Sequence, residues 1–296
     1  MKEFYEKYAP SARTAYHNAD TPDEFKRRLE DVLNRMTYAT LCTITMDARA
    51  HRMDDDASHS ILRIDPDSER RASVSLPSPF ISNMIIQRVI GEHAEKLREW
   101  FDLFMLPRFE SRETARWILD SVFCCSLLRK EQCPVFMLNE LVVMSGKYHW
   151  RVSPPSAAPR YMVFHPQTED VEIRSISSDD RPFLIPTEQY DVQARPNLRS
   201  GMCYYQPVQG DQAAFDGFLW SGHTRGLVVV FQAIASENHT MKTKGLYWLF
   251  NLAGVKEVWY VMVTPADLKI DFTVDNSAVV GGRIWEYYHV KMNIER

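Results

Sequence analysis

The sequence predicts an α/β protein, and three observations carry that reading. The last hundred residues alternate apolar, β-branched strand patterns with a helical one, two long helical patterns fill residues 82–127, and no internal repeat or low-complexity tract interrupts the 296 residues. Strands interleaved with helices are the mark of α/β and α+β architectures. With 45% hydrophobic and 25% charged residues, the chain can bury one large core or two modest ones and has no disordered composition.

Taken in order, residues 1–20 are mixed in character and read as a loosely held arm. Thr21, Pro22 and Glu24 then make a helix start, with Thr at the N-cap, Pro at N1 and Glu at N3, and the helix runs to about residue 36. Residues 48–60 are polar and read as a loop, and 59–66 as a strand stopped by Pro66. Residues 82–105 and 109–127 read as helices, 135–152 as strands, and 153–160 as a proline-rich break. Between 160 and 200 only 161–164 and 171–173 look strand-like. The end of the chain is clearest: a strand at 214–220, a turn at 221–226, a fully buried strand at 227–235, a helix at 240–252 closed by Gly254, then strands at 256–264, 268–273 and 284–292. The expected organisation is a helical N-terminal region over 1–80 and one α/β domain over 81–296.

Composition removes several function classes. The net charge is −4 and the pI about 6.2, whereas a dedicated nucleic-acid binder is strongly basic, so contact with DNA would need a local basic strip. No apolar run is long enough to span a bilayer, and the start carries no apolar signal region, so no membrane partner and an intracellular place, nuclear or cytoplasmic, are expected. The five cysteines form no CxxC pair and read as free thiols rather than a disulfide or zinc framework. Neither GxxxxGK[ST] nor GxGxxG occurs, so no nucleotide cofactor is expected, and HExxH and GxSxG are absent as well.

What remains is chemistry inside the hairpin. If its turn is centred near Thr224, residues whose numbers sum to about 448 face each other, and Asp216 then lies opposite Gln232. Each polar group would cost about 1–3 kcal/mol if buried without a partner. Two readings are open: a satisfied hydrogen-bonded pair within the sheet, or a carboxylate and an amide oxygen holding a hard cation. At 100° per residue, Leu246, Leu249 and Phe250 lie within about 80° of Lys242, which puts Lys242 on the buried face of the following helix. There it either snorkels or stabilises charge on a phosphoryl group.

These residues also carry a resemblance. The run 204–220 (YYQPVQGDQAAFDGFLW), followed by 227–249, resembles the C-terminal domain shared by crinkler effectors and retrotransposon hot spot proteins, through Pro207, Asp216, Phe231, Gln232, His239, Lys242, Gly245 and Leu246. Pro107-Arg108-Phe109-Glu110 resembles the helix that opens this domain, and segments 58–64 and 76–80 resemble the link to the P-loop ATPase that precedes it in the family and has no counterpart here. The resemblance implies a restriction-endonuclease-like fold of PD-(D/E)xK type, a mixed sheet flanked by helices, cleaving DNA with Mg²⁺ or Mn²⁺. Asp216 would be the central metal ligand and Glu110 a second carboxylate. Gln232 would stand in the place of the glutamate of ExK, and Lys242 would replace its lysine from the next helix. His239 would face the nucleic acid. Arg108, Arg112 and Arg116 recur every four residues and form either a phosphate-binding stripe or a solvated face paired with Glu110, Glu113 and Asp120. The chain departs from the pattern in having Ile234 where ExK has its lysine and an amide where it has its glutamate. A metal-dependent endonuclease with weakened catalysis is therefore one expectation. An inactive nuclease-fold effector that binds a host protein or nucleic acid is the other.

Overall fold

The computed structural model describes residues 2–8, 12–49, 60–66, 72–90, 94–105, 112–128, 135–143, 149–152, 160–165, 168, 170–174, 185–192, 194–208, 214–242, 244–274 and 284–294. They form two compact units, 1–121 with 294–296 and 122–293, and the division falls inside the helix Arg112–Leu127. The boundary thus lies some forty residues beyond the one expected at 80. The reason is that the helix Pro79–Ile90 belongs to the first unit: Arg88 on it donates to the backbone oxygens of Leu33 and Asn34, at the end of the helix Pro22–Arg35.

The first unit is mainly helical. Besides those elements it holds the helices Lys2–Tyr8, Ala12–Asn18, Tyr38–Arg49 and Ala94–Met105, and an antiparallel pair of strands, β1 (Arg63–Pro66) and β2 (Ala72–Ser75). The start of the chain is not a loose arm. Phe4 and Tyr8 are buried against Phe25 at ring separations of 5.0 and 4.9 Å, and Tyr8 also meets Phe80 edge-on at 5.4 Å. Burying an aromatic ring contributes roughly 2–3 kcal/mol, enough to hold a seven-residue helix that would not form alone. Pro22 opens its helix as expected, with Asp23 and Glu24 in the first turn, where carboxylates favour the helix dipole; the Thr21 side chain makes no capping bond. The pattern over 82–105 resolves into two helices, ending at Ile90 and resuming at Ala94. Of the loop expected at 48–60, residues 50–59 lie outside the described residues.

The second unit is built on a twelve-stranded mixed sheet. Its strands are β3 (Val135–Val143), β4 (His149–Val152), β5 (Arg160–His165), β6 (Asp170–Arg174), β7 (Thr187–Tyr190), β8 (Cys203–Pro207), β9 (Gly217–Trp220), β10 (Leu227–Ala233), β11 (Asn238–Met241), β12 (Glu257–Pro265), β13 (Asp271–Val274) and β14 (Ile284–Met292). The order is β11-β13-β4-β3-β14-β12-β10-β9-β8-β7, with β5 beside β3 and β6 beside β5. At its centre β10, β12 and β14 run parallel, while β9 is antiparallel to β10 and β3 to β14. All seven residues of β10 are buried, as a strand covered on both faces must be. On one face Val228 and Val230 pack with Phe218, Tyr260 and Met262 beneath Leu246 and Leu249 of the helix Lys244–Phe250. On the other, Phe231 meets Phe123 of the helix Arg112–Leu127 at 4.8 Å. The chain is therefore α/β, a mixed sheet flanked by helices.

The helix expected at 240–252 is shorter. Residues 238–241 form β11, paired in parallel with β13, and the Thr240 and Thr273 hydroxyls bond across the pair at 2.6 Å. The segment found strand partners thirty-three residues on, so the helix begins only at Lys244. Gly254 closes the following turn at φ 92°, a left-handed conformation that glycine adopts freely.

His289 on β14 is fully buried, with Nε2 2.8 Å from the Thr264 hydroxyl. Burial, with Lys291 nearby, lowers its pKa from 6.5 to about 4. The unfolded chain therefore takes up a proton between those values that the folded chain refuses, and stability falls as the pH drops through that window. The expected loss is roughly 2 kcal/mol by about pH 5. Urea unfolding of the wild type and of His289→Gln across this range checks it: the variant should lack that part of the slope.

Candidate functional site

The site is set by the β9–β10 hairpin. Its register pairs Trp220 with Val228, Leu219 with Val229, Phe218 with Val230 and Gly217 with Phe231, each summing to 448, and one further step places Asp216 beside Gln232. The backbone bears this out: the Asp216 amide donates to the Phe231 carbonyl at 2.9 Å, and the Asp216 carboxylate accepts the Ala233 amide at 2.6 Å. The two residues thus lie at the carboxyl end of a central parallel strand, where open α/β sheets place their ligands.

Gln232 is 4% exposed, and its amide oxygen accepts from two side chains. One donor is the hydroxyl of Tyr260 on β12. The other is Nε2 of His239 on β11, at 3.2 Å, in the tautomer that carries its proton there. Tyr260 is buried and its hydroxyl is pushed well above the usual phenol range, first by burial and then by the charge of Asp216, so it remains a donor at any working pH. Asp216 acts in the same direction on Tyr190, after burial. A carbonyl oxygen has two lone pairs, and here both are used. The arrangement is a pair of hydrogen bonds converging on the Gln232 oxygen, with the half-buried Asp216 beside it.

Lys242 does not join it as expected. Because the helix starts at Lys244, Lys242 sits exposed in the link after β11 and not on a packed helical face. Ile234, at the lysine position of ExK, is 1% exposed and belongs to the apolar cluster of Val228, Val230 and Met262. Glu110 and Arg108 lie outside the described residues. Arg112 and Arg116 belong to the first unit; Arg112 is exposed, and Arg116 faces Glu113 at 3.9 Å, one turn away on the same helix. Asp216, Gln232 and His239 are thus brought together, while Arg112 and Arg116 lie in the other unit.

Mg²⁺ takes near-octahedral oxygen ligands at about 2.1 Å, each through a lone pair that an oxygen already accepting two hydrogen bonds does not offer. Gln232 is in that state. Among the described residues no three His, Cys, Asp or Glu side chains form a cation-binding group. Glu110, the second carboxylate that the resemblance implies, lies outside the described residues, so of that ligand set the structure shows Asp216 and the occupied oxygen of Gln232. Tyr260 was missed by sequence reasoning. Its signal is a hydroxyl inside the apolar run 258–263, the same kind of signal that singled out Gln232 in β10.

Replacing Gln232 by Leu leaves the Tyr260 hydroxyl and His239 without their acceptor, and should cost about 2 kcal/mol in urea unfolding. Tyr260→Phe added to it should then cost less than it does in the wild type, which a double-mutant cycle reads directly.

Comparison of the chain with family models, with curated proteins and with solved structures returned no match.

Proposed function

We propose that the second unit is a restriction-endonuclease-like domain that has exchanged metal-dependent cleavage for binding, and that its partner is a protein. The observation that carries this reading is the amide oxygen of Gln232, which stands where a nuclease presents a charged ligand and is occupied by Tyr260 and His239. A site whose acceptor is filled by its own donors is built for rigidity, and a satisfied buried acceptor helps to specify one geometry. The choice of a protein over DNA rests on charge. Net charge of the chain is −4, and within this unit Arg174, Arg199 and Arg225 are matched with Glu172, Glu188 and Asp170. Phosphate contacts need cations that are not already neutralised.

Supercoiled-plasmid nicking with Mg²⁺ or Mn²⁺ tests the first half. Wild type and Asp216→Ala should both leave the plasmid at background, and calorimetry should detect no Mn²⁺ binding. A short DNA duplex should likewise show no saturable anisotropy change at physiological salt. Metal-dependent nicking by the wild type that Asp216→Ala abolishes would overturn the proposal.

That outcome would favour the second reading, a PD-(D/E)xK endonuclease using Mg²⁺ or Mn²⁺. One observation supports it: the register that sets Asp216 beside Gln232 at the carboxyl end of β10. Asp216 and Glu110 would then hold the metal, with substrate oxygens completing the shell.

A further inference from the structure

We propose that the first unit binds a small monocarboxylate with an apolar body, in the cleft between the helices Pro22–Arg35 and Pro79–Ile90. The cleft is open to solvent on one side and offers about 640 Å³, within the range of small-molecule sites. Lys26, Glu30 and Leu33 line it from one helix and Phe80, Met84 and Arg88 from the other. Their spacings of three, four and eight residues put each set on a single helical face. Leu33 is buried and Phe80 and Met84 are half-buried, so the floor is apolar.

Arg88 supplies the specificity. Its Nε donates to the Leu33 oxygen at 3.2 Å and its Nη2 to the Asn34 oxygen at 3.0 Å. Both acceptors lie in the last turn of that helix, and the Leu33 oxygen also accepts the Met36 amide at 3.2 Å. A guanidinium has five N–H donors, so two anchor it and three remain for a ligand in the cleft that it lines. An arginine held in this way presents a planar fork at little further entropic cost, and that fork matches a carboxylate.

Lys26 and Glu30 decide the charge. They stand 3.6 Å apart with each side chain 45% exposed, a pairing weak enough to be redirected. Lys26 stands at the far end of the cleft from Arg88 and pairs with Glu30, and the Glu30 carboxylate between them in the same wall disfavours a dianion. A singly charged carboxylate therefore fits better than a phosphate. Arg88 lies at the Asn34 end, and residues 26–34 and 80–88 each span roughly 12 Å of helix. A ligand with its carboxylate on Arg88 would run its body along Met84 toward Phe80, a length that suits a medium acyl chain or a single ring with a short arm.

Calorimetry on the full chain with octanoate and with 3-phenylpropionate tests this, and octanamide serves as the neutral control. Saturable binding of at least one carboxylate is expected, with octanamide weaker by about tenfold or more. Arg88→Lys keeps the charge but loses the fork, and should weaken binding by a similar factor. Since Arg88 also holds two backbone carbonyls, Met84→Trp provides an independent arm: it fills the cleft without touching those bonds, and should abolish binding while the unfolding midpoint stays at the wild-type value. No carboxylate binding at millimolar concentration, equal binding of octanamide, or wild-type binding by folded Met84→Trp would each overturn the proposal.

Discussion

Ile234→Lys is expected to destabilise the protein by about 4 kcal/mol or more, because a fully buried lysine has its pKa lowered by several units at 1.36 kcal/mol each. The substitution restores the lysine that ExK would place two residues after Gln232, so it asks directly whether this position can serve a nuclease. Ile234 is 1% exposed, lies in the same apolar cluster as Val230, Tyr260 and Met262, and its amide is held by the Val263 carbonyl at 2.8 Å. An ammonium there would lose its hydration and gain no ion-pair partner in that cluster. Ile234→Met, similar in volume, should cost less than about 1.5 kcal/mol and separates charge from shape. The sign of the pH dependence gives a further check. A lysine whose folded pKa is depressed binds its proton more tightly in the unfolded chain, so the deficit should shrink as the pH rises toward the ordinary lysine value. Urea unfolding at neutral and alkaline pH measures both. Near-wild-type stability would mean that position 234 opens to solvent, as a catalytic cleft requires, and would return weight to the nuclease reading.

The parts of this fold that were legible in the sequence are those set by near neighbours. The β9–β10 register follows from one turn, and Gly226 at φ 71°, where an added Cβ would stand 2.6 Å from the Gly254 carbonyl, shows how little freedom that turn leaves. Asp216 could therefore be set beside Gln232 by counting alone. What filled the remaining valences of Gln232 could not be counted. Tyr260 reaches it through the parallel pairing of β10 with β12, and His239 through a strand formed only because β13 lies beside it. Parallel partners are joined by long crossovers, so no local pattern announces them. The same holds for Phe4 and Tyr8, which look unanchored until Phe25 and Phe80 are brought to them. Lys242 was misplaced for a related reason: helical periodicity is real in Leu246 and Leu249, but it says nothing about where the helix starts when the preceding residues have a strand to join.

Gly217→Ala should cost about 3 kcal/mol or more, the upper end of what overpacking a core produces. Gly217 opens β9, immediately after Asp216, and its backbone is not in the left-handed region, so the requirement for glycine is one of space. A Cβ there would overlap the Tyr204 hydroxyl and lie 2.6 Å from the ring Cζ and 3.1 Å from Cε2. Tyr204 has nowhere to go: it is fully buried, with its hydroxyl 3.2 Å from the Cys124 thiol and its ring 6.3 Å from that of Phe231. The strands must separate instead, and Tyr204 on β8 pairs with Leu219 on β9, so the strain falls on the ladder that carries Asp216. Tyr204→Leu removes the atoms in conflict, at the cost of lost ring packing. If the conflict is the cause, the double variant Gly217→Ala/Tyr204→Leu will be more stable than the sum of the two single losses predicts, by about 1 kcal/mol or more. Urea unfolding of the four proteins measures this coupling. Additive losses would mean that β9 moves away from β8 freely, and the Asp216 carboxylate would then lose the fixed contact with the Ala233 amide on which the geometry of the site depends.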